Sequence, residues 1–172
     1  MAVREGLLAL LADGSRHGYQ LKTGFESATG GLWPLNVGQV YTTLERLERD
    51  GLVTSHDAEG QTRYEITDDG NGALGAWWSA SPHDDPPPRD ELMLKVLLAV
   101  EHGREHALDV ITAQRTALTV LLQRRRRTAD TRTLAASLVH EALVARAEAD
   151  LRWLDACEAR VRAASEPKEN TR

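Results

Sequence analysis

The sequence predicts a mainly α-helical protein with one small β-hairpin, organised as two domains. Three observations predict it. Apolar residues recur at helical spacing along most of the chain, and the period changes to alternation only between residues 52 and 66. Four of the six prolines fall between Ser79 and Pro88. Proline lacks an amide donor and biases its predecessor away from helix, so this stretch reads as an extended linker. Beyond it Gly103 is the last glycine, and Ala, Leu, Arg and Glu dominate, as in long helices. The expected divisions are a mixed domain at 1–80, a proline-rich linker at 81–90, an all-helical domain at 91–164 and an unstructured tail at 165–172.

Each element has its own signal. Val3 to Ala12 is apolar at every position after Gly6 and ends at Asp13-Gly14, which predicts a buried helix. A second helix, about His17 to Ser27, has Leu21 and Phe25 on one face and stops at Thr29-Gly30-Gly31. Asn36 is a good N-cap for the third, and Gln39 three residues later suggests a capping-box variant. Val40, Leu44 and Leu47 define its buried face, and Gly51, with φ positive, ends it. Residues 52–56 and 62–66 then read as two strands around the turn Ala58-Glu59-Gly60-Gln61. Thr67-Asp68-Asp69-Gly70 caps a fourth helix whose apolar positions are Leu74, Trp77 and Trp78. The order helix, helix, helix, hairpin, helix is that of a winged helix-turn-helix.

Composition excludes several classes. The 172 residues are 41% hydrophobic and 27% charged, so wholesale disorder is not expected. The most apolar run, Leu92 to Val100, is far short of a membrane helix and contains Lys95. The first residues lack the basic-then-apolar order of a secretory leader. A single cysteine, Cys157, leaves no internal disulfide and argues against a cysteine-rich zinc site. No nucleophile elbow, phosphate-binding loop or H-E-x-x-H motif is present, so no enzyme is expected. His102 and His106 have metal-compatible spacing, but Gly103 between them suggests a turn, and neither metal nor cofactor is expected. The chain reads as a cytoplasmic, non-membrane protein.

With the apolar face of the third helix inward, Gln39, Thr42, Thr43 and Arg46 form a polar ridge. Gln and Arg pair bidentately with adenine and guanine edges, and threonine can meet the thymine methyl. Asn36 sits where the helix N-terminus favours a phosphate. Lys22 and Arg63, with Arg4 and Arg16 behind them, are phosphate candidates. Bulk charge opposes this reading: residues 1–80 carry six Lys/Arg against eleven Asp/Glu, and residues 81–172 carry fifteen of each. Glu45, Glu48 and Asp50 lie toward the far end of the third helix and are expected to angle away from DNA.

In the C-terminal domain Val139, Leu143, Ala147, Leu151, Leu154 and Val161 form one stripe on the last helix. Leu138, Ala142, Ala145, Ala149, Trp153 and Ala156 form a second beside it. So broad an apolar arc exceeds what a helical hairpin buries and points to a second copy. Leu138, Val139, Leu143, Leu151, Trp153 and Leu154 are the expected dimerisation residues. Arg124-Arg125-Arg126-Arg127 reads as a solvated helix end that complements the helix dipole. Trp33, Trp77 and Trp78 are candidates for the flat walls of a pocket for a small planar hydrophobic effector.

Four segments carry a family resemblance. His17-Gly18-Tyr19-Gln20-Leu21, the run Gly38 to Val53, Arg63 to Gly70 and Pro88 to Leu98 resemble successive motifs of the PadR-like transcriptional regulators. The resemblance extends to about Ala164, and it departs at Thr42, where relatives often carry proline. It implies a homodimeric repressor in which the winged domain binds a palindromic double-stranded operator and the C-terminal helices form the dimerisation domain. It adds Tyr41 as a phosphate contact, favours Arg63, and implies release by a small, often aromatic, effector. The competing reading is a winged-helix protein–protein interaction module or co-activator that does not bind DNA on its own, for which the acidic first domain speaks.

Overall fold

Leu7, Leu8 and Leu11 fall at helical spacing on the first helix, α1 (Ala2–Leu11), and all three are buried. They seed the core of the N-terminal half of the structure, a computed structural model that describes residues 2–58, 60–81, 90–128 and 133–164. The middle of the expected linker and the expected tail lie outside the described residues. The chain divides into two units, Met1–His83 and Asp84–Arg172.

In the N-terminal unit α1 is followed by β1 (Arg16–His17), α2 (Gly18–Ala28), α3 (Val37–Arg49), β2 (Val53–Ala58), β3 (Gln61–Ile66) and α4 (Asp68–Ser79). Leu21 and Phe25 of α2, Val40, Leu44 and Leu47 of α3, Val53, Tyr64 and Leu74 join the α1 leucines in one core. Two sequence expectations need correction here. The sheet has three antiparallel strands in the order β1-β3-β2, where a two-stranded hairpin was expected. Arg16 pairs with Tyr64 and His17 with Arg63, so β1 exists only because β3 passes beside it; two polar residues have no alternation to reveal them. The capping box also belongs to α2, not α3. His17 caps α2, its Nδ1 accepting from the Gln20 backbone amide while the Gln20 side-chain Oε1 accepts from the His17 backbone amide. Asn36 does cap α3, accepting from the Gly38 amide at 2.8 Å, but Gln39 does not close a box.

At the other end of α3, Gly51 takes φ 74°. The amide of Leu52 bonds the Leu47 carbonyl and that of Gly51 the Glu48 carbonyl, the paired closure that a left-handed residue permits. The chain thereby turns into β2. At Gly70, a Cβ would lie 2.1 Å from the Leu52 carbonyl oxygen, so α4 packs against this turn only because residue 70 has no side chain.

The C-terminal unit has three helices, α5 (Glu91–Glu101), α6 (Arg104–Arg127) and α7 (Leu134–Ala163). Its core is Val96, Ile111 and Leu154, one residue from each helix, with Leu92, Leu118, Trp153, Cys157 and Val161 packed around it. Leu154 is fully buried and belongs to this internal core, not to a surface open to a partner as expected. Ion pairs tie α6 to α7: Arg115 holds Asp155 at 3.0 Å and Glu158, and Arg126 holds Glu148 at 2.6 Å. Arg125 donates to the Leu143 carbonyl at 2.8 Å. Two arginines of the basic run thus brace the helix pair, where a purely solvated end was expected. Among the described residues no helix is long and apolar enough to cross a membrane.

Candidate nucleic-acid interface

Burial of Val40, Leu44 and Leu47 fixes the rotation of α3 about its axis, and that rotation decides which side chains face outward. Gln39, Tyr41, Thr42, Glu45 and Arg46 are exposed, and Thr43 is half-buried. The Thr43 hydroxyl donates to the Gln39 carbonyl at 2.7 Å. Its hydrogen is therefore used inside the helix, which leaves the methyl as the group Thr43 offers outward. Asn36, the N-cap, is exposed at the end where α3 carries its partial positive charge.

Tyr41 is positioned by a missing side chain. A Cβ at buried Gly18 would come 2.8 Å from the Tyr41 ring and 3.0 Å from its hydroxyl, so the ring packs closely on the start of α2. Behind it Tyr64 is buried in the sheet. Burial raises its phenol above the ordinary value, and the charges of Glu48, Tyr41 and Glu45 add to the effect.

The cations separate the site more sharply than the sequence did. Lys22 is held by Glu26, with Nζ 2.7 and 2.9 Å from its two carboxylate oxygens. Glu26 also accepts from the Leu35 amide, and these bonds hold its carboxyl below the ordinary value, the Lys22 hydrogen bond first. Lys22 is thus engaged within α2. Arg4 pairs with Asp50 at 3.0 Å, Arg16 with Asp13 at 3.8 Å, and Arg49 with Asp50 at 3.6 Å. Arg63 donates from Nη2 to the Ser15 carbonyl at 3.0 Å and from Nε to the Ser15 hydroxyl, fastening β3 to the α1–β1 turn. Arg46 alone among the described cations of this unit has neither a carboxylate nor a hydrogen-bond partner.

The acidic groups are likewise sorted. Glu48 accepts from the Ser55 hydroxyl and Asp50 binds Arg4, so both already hold a partner. Glu45 is exposed one turn beyond Thr42, on the same face of α3. Glu5 is a residue the sequence reading passed over. It lies in a groove of about 340 Å³ shared with Arg4, Gln39, Thr43 and Arg46, and its Oε2 is buried without a hydrogen-bond partner among the described residues. No local pattern in α1 signals this, because the groove forms only when α1 meets α3.

The wing is β2 and β3, paired from Val53↔Ile66 to Ala58↔Gln61 with two residues between, and Gly60 at φ 76° closes the turn. Of the effector candidates, Trp77 and Trp78 pack on each other with ring centroids 4.4 Å apart, and Trp78 and Trp33 are largely exposed. His102 caps the end of α5, its Nδ1 2.8 Å from the Leu98 carbonyl, and His106 lies across the turn on α6. Among the described residues no cluster of three or more His, Cys, Asp or Glu could hold a metal.

Residues 7–76 match the transcriptional regulator PadR-like family, and residues 88–162 match the virulence activator alpha C-terminal family. The negative transcriptional regulator PadR of Bacillus subtilis is 28% identical over 117 residues, which span 65% of this chain and 64%, under two thirds, of that protein. Crystal structures of B. subtilis PadR with operator DNA and with p-coumaric acid share the fold, with TM-scores of 0.62 and 0.66. Each is 23% identical and covers 94% of this chain and 99% of the other. The Vibrio cholerae virulence activator AphA superposes with a TM-score of 0.60 at 23% identity, covering 95% and 99%. These relatives are transcriptional regulators and not enzymes. With one profile matched by each of its two units, the chain is similar to the PadR-like transcriptional regulators that carry a helical C-terminal domain.

Proposed function

We propose that this chain acts in the cytoplasm as a homodimeric repressor that reads a palindromic operator with α3 and releases it when a small planar effector binds. One observation carries the DNA part. Arg46, the unpaired cation of the N-terminal unit, lies on the same helix as the exposed Gln39, Tyr41 and Thr42 and beside the outward methyl of Thr43. Gln39 suits adenine, Arg46 guanine and Thr43 the thymine methyl, while Glu45 can accept from cytosine N4. Asn36 and Tyr41 are assigned to phosphates, with Arg63 at the wing and Lys22 on α2 as weaker partners because both are already bonded.

The dimer rests on α7. Leu138 is exposed, and Val139, Leu143, Leu151 and Trp153 are half-buried, so all five retain surface for a second copy. Repression and effector release follow what the related proteins are described as doing: one is a negative regulator, and its structures hold operator DNA and p-coumaric acid. Trp33, Trp77 and Trp78 supply the exposed aromatic surface for such a ligand.

Selection of bound fragments from random duplex DNA by the purified protein tests the reading. The expected result is a twofold-symmetric motif with half-sites about 10 base pairs apart or a multiple of it. Gln39→Ala should then cost about 1–3 kcal/mol of operator affinity without loss of folding. The absence of any enriched motif at low salt overturns it. A second reading, a winged-helix module that binds protein and not DNA, draws support from the carboxylate pairing of Arg4, Arg16, Lys22 and Arg49. It predicts full partner binding by a protein that ignores every duplex.

A further inference from the structure

The end of α5, the first turn of α6 and the last turns of α7 line a cleft of about 380 Å³ within the C-terminal unit. That is the size of pocket that takes one small ligand. Val96 and Ala107 form its floor, both essentially inaccessible, and Leu97, Val100 and Val161 form its walls. Two cations stand on the rim, Arg104 and Arg160. No carboxylate lines the cleft, and neither arginine is in an ion pair among the described residues. Elsewhere in this unit Arg115, Arg126 and Arg162 each hold a glutamate, whereas Arg104 and Arg160, like Arg146 and Arg152, hold none among the described residues.

The same end of α6 adds to the positive field. Its N-cap is Gly103, which has no side chain to satisfy the amides of the first turn. Cys157 reports the character of the wall: burial pushes its thiol up from the ordinary value, and the charge of Arg160 pulls the other way. No aromatic ring lines the cleft, so it offers no face for a planar ligand to stack on. An aliphatic chain suits walls of valine and leucine, and a carboxylate suits a pair of unpartnered guanidiniums.

We propose that this cleft binds an aliphatic monocarboxylate, with its chain against Val96, Leu97, Val100 and Val161 and its headgroup between Arg104 and Arg160. The site is separate from the tryptophans assigned to a planar effector, and its occupancy can be read without any DNA.

Cys157 makes the test direct, because it is the one cysteine in the sequence and it lines the cleft. The full-length protein is alkylated with iodoacetamide at increasing decanoate, with decanol as the uncharged control. Decanoate should slow alkylation saturably and decanol should protect far less. The double variant R104Q/R160Q, with both changes at exposed positions, should keep its circular dichroism and need at least about tenfold more decanoate for half-protection, the loss of a hydrogen bond between charged groups. Three results overturn the proposal: an alkylation rate indifferent to decanoate, equal protection by decanol, or protection undiminished in R104Q/R160Q. A rate that falls with protein concentration and ignores decanoate overturns it too, by showing that a second copy fills the cleft.

Discussion

In the N-terminal unit twelve buried residues from helices, strands and the loop before α3 form one core, whereas in the C-terminal unit the described core cluster is Val96, Ile111 and Leu154. The exposed apolar side chains differ as well. On the N-terminal unit they are mostly aromatic: Tyr19, Trp33, Tyr41, Trp77 and Trp78. On the C-terminal unit they are aliphatic, including Leu94, Leu97 and Leu98 of α5 and Leu134 and Leu138 of α7. Rings with a polar atom tolerate water and serve a surface that meets a ligand or a nucleic acid. Rows of leucine do not, and a patch of them marks a protein partner. The N-terminal unit thus exposes mainly rings around a larger core, and the C-terminal unit exposes aliphatic side chains around a smaller one.

Substitutions can break this contrast. The largest effect is expected from Leu154→Ala, which should destabilise the C-terminal unit by about 2–5 kcal/mol, measured by denaturant unfolding, because the core there has few other members to absorb the void. Gly70→Ala comes next. Its Cβ would overlap the Leu52 carbonyl oxygen, so a loss of about 3 kcal/mol confined to the N-terminal unit is expected by thermal melting. If Gly70→Ala melted both units together, their independence would be lost.

Smaller changes sharpen it. Leu138→Glu should weaken self-association at least about tenfold in sedimentation, whereas Trp78→Ser on the other unit should leave association unchanged. Gly18→Ala should displace the Tyr41 ring and weaken operator binding by about 1 kcal/mol while melting changes less. The smallest effect is of pH. Glu26 and Glu158 are held below the ordinary carboxyl value by Lys22 in one unit and by Arg162 and Arg115 in the other. A carboxyl with the lower value in the folded state stabilises above its unfolded value, near 4.5, and that stability fades as pH falls through the folded value. Glu26→Gln should flatten this acid loss in the N-terminal unit alone, and Glu158→Gln in the C-terminal unit alone, as read by melting between pH 6 and about pH 3.

Much of the fold was legible because its signals are local. The Asn36 cap, the Val40, Leu44 and Leu47 stripe, the stop at Gly51 and the Thr67 cap each lie within one or two turns of chain. The polar ridge of α3 follows from that stripe by geometry alone. What each ridge residue is free to do was not legible. Arg46 and Arg49 are three apart and chemically identical, yet one is unpaired and the other faces Asp50. Asp50 is also held by Arg4, which α1 brings to the end of α3 together with Glu5, a meeting that no spacing encodes.

The sequence by itself determined the helices and the hairpin, since periodicity and caps act on neighbours a few residues apart. Only the tertiary structure decided that a third strand forms at Arg16–His17, that Leu154 faces inward and that α1 brings Glu5 beside Arg46. Those outcomes depend on which surfaces pack and which charges meet across the fold, and such contacts join residues far apart in the chain.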